Sequence, residues 1–328
     1  MNQLPISRRR VLYGAAGTIA AMLGAAACGG ERGDAGSGPY RGGRLSIATG
    51  NTTGVYYQLG GGYADLISKH LKGYKATAEA TGASVENLQR VARGDSDIAF
   101  TLADAAADAA LGSGAFDSEQ PIRALARIYT NYTQVVSLRK SKITKLEDMR
   151  GKRISTGSPN SGTENIAHRL LAAAGLDPEK DIRKQALSLP ETVQGMKDGN
   201  LDALFWSGGL PTPGITDLVT SLEDDVVFLP LEDYLTTLQE KYGEIYLAEA
   251  LPKATYSTPD DVPTIAVPNL LVVSEKMPDK LAHDLTKLLF DHTDDLSKVH
   301  PEGKNITRDV ASKTEPVQLH PGVKKYLG

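Results

Sequence analysis

Three observations in the sequence predict an α/β protein of two lobes with a hinge and a cleft between them. Strand-like apolar runs alternate with helix-period segments from Arg44 onward, the pattern of parallel sheets covered by helices. A strand, a Thr-Gly step, a Gly-rich turn and a helix come twice, in RLSIATGNTTGVYYQLGGGYADLI and RISTGSPNSGTENIAHRLL. A helix, a Gly turn, an Asp and a buried strand also come twice, in VENLQRVARGDSDIAF and ETVQGMKDGNLDALF. Single α/β units restart often, but agreement in two separate segments favours two lobes of one plan.

RLSIA reads as a strand and Val55 to His70 as a helix. YKATAEA alternates like a strand, and SVENLQRVARGD has helical spacing closed by Gly94. DIAFTL is a buried strand, followed by an alanine-rich helix from Ala103 to Leu111. After PIRALARIYT and TQVVSLR, KLEDMRGKRISTG gives a short helix, a turn and a strand, and Thr163 to Ala174 a helix ended by Gly175. KQALSL, ETVQGMKDGN, LDALFWS and a Pro-capped turn complete the second set. Crossovers are expected at ARIYTNYTQVV and near Val226 to Pro230. That assigns 44–130 to the first lobe, 131–228 to the second, and 229–328 to a return into the first with C-terminal helices and a tail.

The N-terminus carries a basic head, Arg8-Arg9-Arg10, then a short apolar stretch to Ala27 with no acidic residue, the composition of an export signal. Val11 to Ala27 falls under the ~18 residues of a spanning helix, and Ser-Arg-Arg-x-Val-Leu has a twin-arginine character. Residues 1–27 are thus expected as a signal peptide and 28–43 as a flexible Gly/Ser-rich tether. Cys28, the single cysteine, suits either lipidation as a cell-surface lipoprotein or ordinary cleavage after Ala25-Ala26-Ala27, which would release a periplasmic protein. Loss of the signal takes the formal charge from −4 to −7. A mildly acidic chain without a basic block argues against nucleic acid, and against membrane contact other than through an N-terminal lipid anchor.

Both Gly-rich turns place backbone N–H groups and the positive end of a helix at the carboxyl end of a strand, where open α/β sheets bind ligands. Neither carries a lysine for a Walker loop, and GNTTG lacks the G-x-G-x-x-G spacing of a dinucleotide fold. A small anion remains. In GSPNSGTE, Ser161 and Thr163 are candidates for helix capping or, beside Gly162, for ligand contact. Of Tyr56 and Tyr57, one packs inward and the other closes over the cleft. Trp206 ends a strand as rim packing or as a ligand wall. Arg127 lies either on the surface or opposite an acidic group of the ligand.

The segments TGNTTGVYYQLGG, TGASVENLQRV, LEDMRGKRISTGSPNSGTE, DGNLDALFWSGGLPTPGI and HPGVKKYLG, in this order, resemble the TAXI family. These are extracytoplasmic solute receptors of tripartite ATP-independent periplasmic (TRAP) transporters. The resemblance covers nearly all of the chain after the signal. It implies a type II periplasmic-binding-protein fold that captures a small carboxylate such as glutamate or glutamine and delivers it to a TRAP-type membrane permease. It implies ligand contacts at Gly54 and Tyr56 in the first turn, Ser84 and Asn87 at the next helix start, and Ser161, Gly162 and Thr163 in the second turn; Thr53, beside Gly54, and Trp206, at its strand end, are ligand-contact candidates on their own placement. Thr52-Thr53 stand where the family often has glycines, and Ala83 where glycine is usual.

No metal or redox cofactor is expected. His70, His168, His292, His300 and His320 are scattered, without metal-ligand or triad spacing. The pairs Asp224-Asp225, Asp260-Asp261 and Asp294-Asp295 are adjacent in sequence and cannot converge as an acid/base pair. An enzyme on the same two-lobed plan and a receptor feeding a membrane sensor stand as alternatives.

Overall fold

Two long strands carry the chain between the lobes. The computed structural model describes Tyr40 and residues 43–327; the export signal, the tether and Cys28 lie outside the described residues. The first lobe opens with β1 (Arg44–Ala48), α1 (Val55–His70), β2 (Lys75–Glu79), α2 (Ser84–Arg93), β3 (Ile98–Leu102) and α3 (Ala103–Leu111). Here β1 pairs in parallel with both β2 and β3. Ile47 and Ile98 are fully buried, as strands covered on both faces require.

β4 (Ile122–Leu138) then runs unbroken for 17 residues. PIRALARIYT and TQVVSLR are thus one strand, and the junction expected at 130/131 falls inside it. The second lobe adds β5 (Arg153–Ser155), α4 (Gly162–Ala173), β6 (Arg183–Gln185), α5 (Leu189–Lys197), β7 (Ala203–Gly208) and α6 (Pro213–Leu222). β5 pairs in parallel with β6 and β7. β8 (Val226–Phe228) and β9 (Leu247–Leu251) precede β10 (Val262–Ser274), with α7 (Leu235–Tyr242) between β8 and β9.

The second crossover differs from expectation. Val226–Phe228 lies beside Val136–Leu138 of β4 and does not return to the first lobe. β10 makes the return, pairing antiparallel with β9 and with Ala266↔Tyr132 at one end, and with β3 and Ser274↔Ile122 at the other. Its sequence, VPTIAVPNLLVVS, is broken by two prolines that argue against an inner strand. Pro263 lies near the strand's start, and Pro268 falls where the β4 register shifts, a bulge that accommodates a missing N–H.

The full order β2-β1-β3-β10-β4-β7-β5-β6 is therefore mixed, with antiparallel crossing strands between two parallel triplets. The segment 229–261, expected to return to the first lobe, packs on the second. The Tyr234 hydroxyl donates to Glu147 (2.9 Å) and accepts from the Leu146 N–H (3.3 Å), and Leu251 and Tyr256 cluster with Leu189 and Val193. The tail is tied to the first lobe through the His320 N–H, which donates to the Ala124 carbonyl (2.9 Å). His70 is exposed at the end of α1 and His168 half-buried on α4.

A buried ionic cluster joins α3 to α4 across the lobes. Arg169 Nη2 donates to Asp108 Oδ2 (2.5 Å) and Nη1 to the Tyr246 hydroxyl (2.9 Å), which donates to Asp104 Oδ2 (2.9 Å). Asn165 Nδ2 adds a second hydrogen bond to that Asp104 oxygen (3.1 Å), and the guanidinium lies 4.0 Å from the Tyr242 ring centroid. Burial pushes the Asp104 carboxyl up, and the Arg169 charge with the Tyr246 hydroxyl works against that. Removing the cation leaves the buried Asp104 and the partly buried Asp108 carboxylates uncompensated. Arg169→Met is therefore expected to cost about 3–5 kcal/mol, read as a lower urea midpoint at unchanged slope; an unmoved midpoint would show that the cluster contributes nothing net.

Candidate functional site: a cleft closed by helix N-termini

The three helices that follow parallel strands β1, β2 and β5 point their N-termini into one cavity. α1 starts after Gly54, α2 after Ala83 and α4 after Ser161. Each end carries free amides and a partial positive charge. The Ser161 hydroxyl caps α4 by accepting from the Glu164 N–H (2.9 Å), so the capping reading holds while the residue also lines the cavity. Ala83 has φ +94°, a left-handed conformation that costs a non-glycine residue of order 1–3 kcal/mol. It marks the position where the resembled family has glycine.

The two lobes approach closely. A Cβ added at Gly162 would lie 2.5 Å from Leu102 Cδ1 and 2.6 Å from the Ser84 hydroxyl. A Cβ at Gly54 would lie 3.4 Å from the Trp206 ring. Hydrogen bonds also cross between lobes. The Glu86 N–H donates to the Asn160 carbonyl (3.0 Å), Asn51 Nδ2 to the Ser158 hydroxyl (3.2 Å), and the Leu189 N–H to Asn51 Oδ1. The enclosed space is about 30 Å³, room for roughly two waters. Any larger ligand enters by separating the lobes.

Of the candidate ligand-contact residues, Gly54, Tyr56, Ser84, Ser161, Gly162, Thr163 and Trp206 line this space. Tyr56 both packs inward and walls the cleft; its hydroxyl donates to Asn269 Oδ1, and burial drives its pKa far up. The Thr163 hydroxyl accepts from the Ser207 N–H (3.1 Å), and Trp206 Nε1 donates to the Thr212 hydroxyl (3.0 Å). Two expectations are corrected. Thr53 does not line the cavity; its carbonyl accepts from the Gly214 N–H (3.4 Å) on the other lobe. Asn87 is a structural clamp whose Nδ2 donates to the Thr49 (2.7 Å) and Phe100 (2.8 Å) carbonyls, tying the ends of β1 and β3 together. Arg127 is half-buried on β4 and does not line the cavity.

The crossing strand supplies what the sequence reading missed. Tyr129 and Asn131 of β4 floor the cavity, with Asn51, Ser158 and Ser207 on its sides. Among the described residues that line it, the Tyr129 hydroxyl and the Ser207 hydroxyl are the buried side-chain oxygens without a hydrogen-bond partner. Tyr129 is 1 % and Ser207 6 % exposed. Such unpaired buried hydroxyls are exceptions in a folded protein, and both belong to residues that line the cavity. Ser207 was findable as a hydroxyl at a strand's carboxyl end; Tyr129 lies in ARIYTNYTQVV among several other polar residues, and nothing in that run singles it out.

A family model described as the NMT1-like family matches residues 47–328. The chain belongs to the NMT1-like family. Solved structures similar to this NMT1-like protein include a binding-protein component of an ABC phosphonate transporter from Pseudomonas aeruginosa. It is 14% identical over 80% of this chain and 79% of that one, with a TM-score of 0.55. A Bordetella bronchiseptica protein is 18% identical over 79% and 76%, at 0.52. PhnD1 of Prochlorococcus marinus, solved with methylphosphonate, is 11% identical over 80% and 90%, at 0.51. This NMT1-like chain thus has the two-lobed α/β fold of periplasmic binding proteins.

The geometry generates two expectations. Overpacking at Gly162→Ala costs closure about 1–3 kcal/mol, so hydrogen exchange of the lobe-bridging Glu86 and Leu189 amides rises about 10-fold or more, while β3 amides stay protected. Equal acceleration in β3 would instead mean global destabilisation. Ala83→Gly relieves the left-handed strain and raises unfolding stability by about 1 kcal/mol, measured in urea; a loss would show that the strain is absent.

Proposed function

We propose that this NMT1-like protein is an extracytoplasmic solute-binding protein that captures a small organic anion by lobe closure and delivers it to a membrane permease. The observation that carries this reading is the pair of unpartnered hydroxyls, Tyr129 and Ser207, beside three helix N-termini in a cleft between lobes. Ligand bridging the lobes favours the closed state by its differential affinity for it, and the permease reads the closed shape.

The resemblance to TAXI receptors supports a carboxylate cargo, with glutamate and glutamine as candidates, and a TRAP permease as the acceptor. The Pseudomonas protein of like fold is a component of an ABC transporter, which supports an ABC permease as the second reading. A fused multi-spanning permease encoded nearby favours the first, and an ATPase subunit the second. Export through residues 1–27 and anchoring at Cys28 belong to the same proposal. No helix among the described residues is long and apolar enough to cross a membrane.

The test is thermal unfolding of protein that has been unfolded and refolded to remove retained ligand, against organic anions and sugars. An anion at 100 times its dissociation constant adds about 2.7 kcal/mol, a shift of several degrees or less in a chain of this size. Stabilisation by anions and not by sugars is expected. A flat panel would overturn the reading and favour the enzyme alternative.

A further inference from the structure

The cleft has no charged side chain on its walls. Among the described residues that line it, every side chain is apolar, aromatic, hydroxyl or amide. Two acidic groups stand close behind, each engaged by other partners. Asp104, two residues beyond the lining Leu102, is held by Asn165, Tyr246 and Arg169. Glu302, whose charge reaches Tyr129, accepts from the Leu210 N–H through Oε1 (2.7 Å) and from Asn305 Nδ2 through Oε2 (2.6 Å).

The amide oxygens that line the cleft are engaged as well. Asn51 Oδ1 accepts from the Leu189 N–H, and Asn131 Oδ1 from Asn269 Nδ2 (2.8 Å). What remains free is the Tyr129 and Ser207 hydroxyls, both over nine-tenths buried. Beside them converge the N-termini of α1, α2 and α4. Together these groups serve one negative charge: amides and hydroxyls donate to an oxyanion, and three dipoles favour it without a counter-ion.

The same walls discriminate against further charges. A ligand ammonium would lose its hydration and find neither a carboxylate nor a free amide oxygen. A second carboxylate would find no arginine or lysine. An apolar remainder meets the Trp206 ring, Val55 and Leu102. From this we infer that the cargo is a small monocarboxylate, with one negative charge and an uncharged remainder, in preference to an amino acid or a dicarboxylate. The inference rests on the reading of the cleft as an anion site and narrows it. The carboxylate lies against the helix N-termini, and the Tyr129 and Ser207 hydroxyls donate to it or bond a hydroxyl or oxo group on the neighbouring carbon.

The test is calorimetric titration of refolded protein with propionate, lactate and pyruvate, against glutamate, glutamine, succinate and 2-oxoglutarate, with methanesulfonate as a non-carboxylate monoanion. At least one monocarboxylate is expected to bind about 10-fold or more tightly than any member of the second group. Tyr129→Phe and Ser207→Ala each weaken that ligand by about 10-fold, with the thermal midpoint of the unliganded protein held or raised, since an unpartnered buried hydroxyl adds no stability. Glutamate or glutamine binding as tightly as the monocarboxylates would overturn the inference and leave anion capture standing. Methanesulfonate binding without any carboxylate would overturn the carboxylate assignment. Silence from every anion would overturn the anion-site reading itself.

Discussion

Asn269 occupies the irregular step in the pairing of the two strands that run through both lobes, and the cleft is organised around it. At this step the ladder between β4 and β10 slips, leaving backbone groups to be satisfied by a side chain. Asn269 Nδ2 donates to the Tyr129 carbonyl (3.1 Å) and to Asn131 Oδ1, and its Oδ1 accepts from the Tyr56 hydroxyl. One buried amide thereby sets the floor of the cavity against the helix that forms its roof. Its backbone also pairs with Leu102, the last residue of β3. Crossing strands, first-lobe sheet and α1 thus meet at a single residue.

From that floor the rest of the site follows by geometry. Parallel strands deliver their following helices with N-termini at one edge of each sheet, and the crossing pair turns those edges toward each other. Closure then depends on the absence of a side chain at Gly162, where a Cβ would clash with Leu102 and Ser84 of the first lobe. The polar chemistry at this edge is largely internal: capping by Ser161, the Ser84 hydroxyl accepting from the Leu102 N–H (3.0 Å), and Thr163 holding the Ser207 N–H. Once those are satisfied, two hydroxyls are left over. Selectivity of the cleft therefore arises from its uncharged walls as much as from its donors.

Much of this was legible before the fold was known. The doubled strand-turn-helix units led to both lobes, and the Gly-rich turns led to five lining residues, Gly54, Tyr56, Ser161, Gly162 and Thr163, because such turns bring backbone N–H groups to a strand's end. β10 was hidden by Pro263 and Pro268, whose tolerance depends on an early position in the strand and on a bulge that local sequence does not display. Asn87 resembled a ligand contact because an asparagine that clamps two carbonyls looks the same in sequence as one that faces a cleft. Tyr129 lay in a segment read only as a crossover. Its unpartnered hydroxyl is a property of three-dimensional packing, in which every neighbouring group has already found its own partner.

The central claim is that ligand binds against the second lobe's strand end in this cleft. Trp206, the single tryptophan of the chain, is in its wall, so emission excited where only the indole absorbs reports on this residue. The decisive measurement is that emission during titration with an anion that stabilises the protein. A saturable change in Trp206 emission, with the same midpoint as the stabilisation, is the predicted result. Stabilisation with unmoved emission would place the ligand elsewhere and contradict the account.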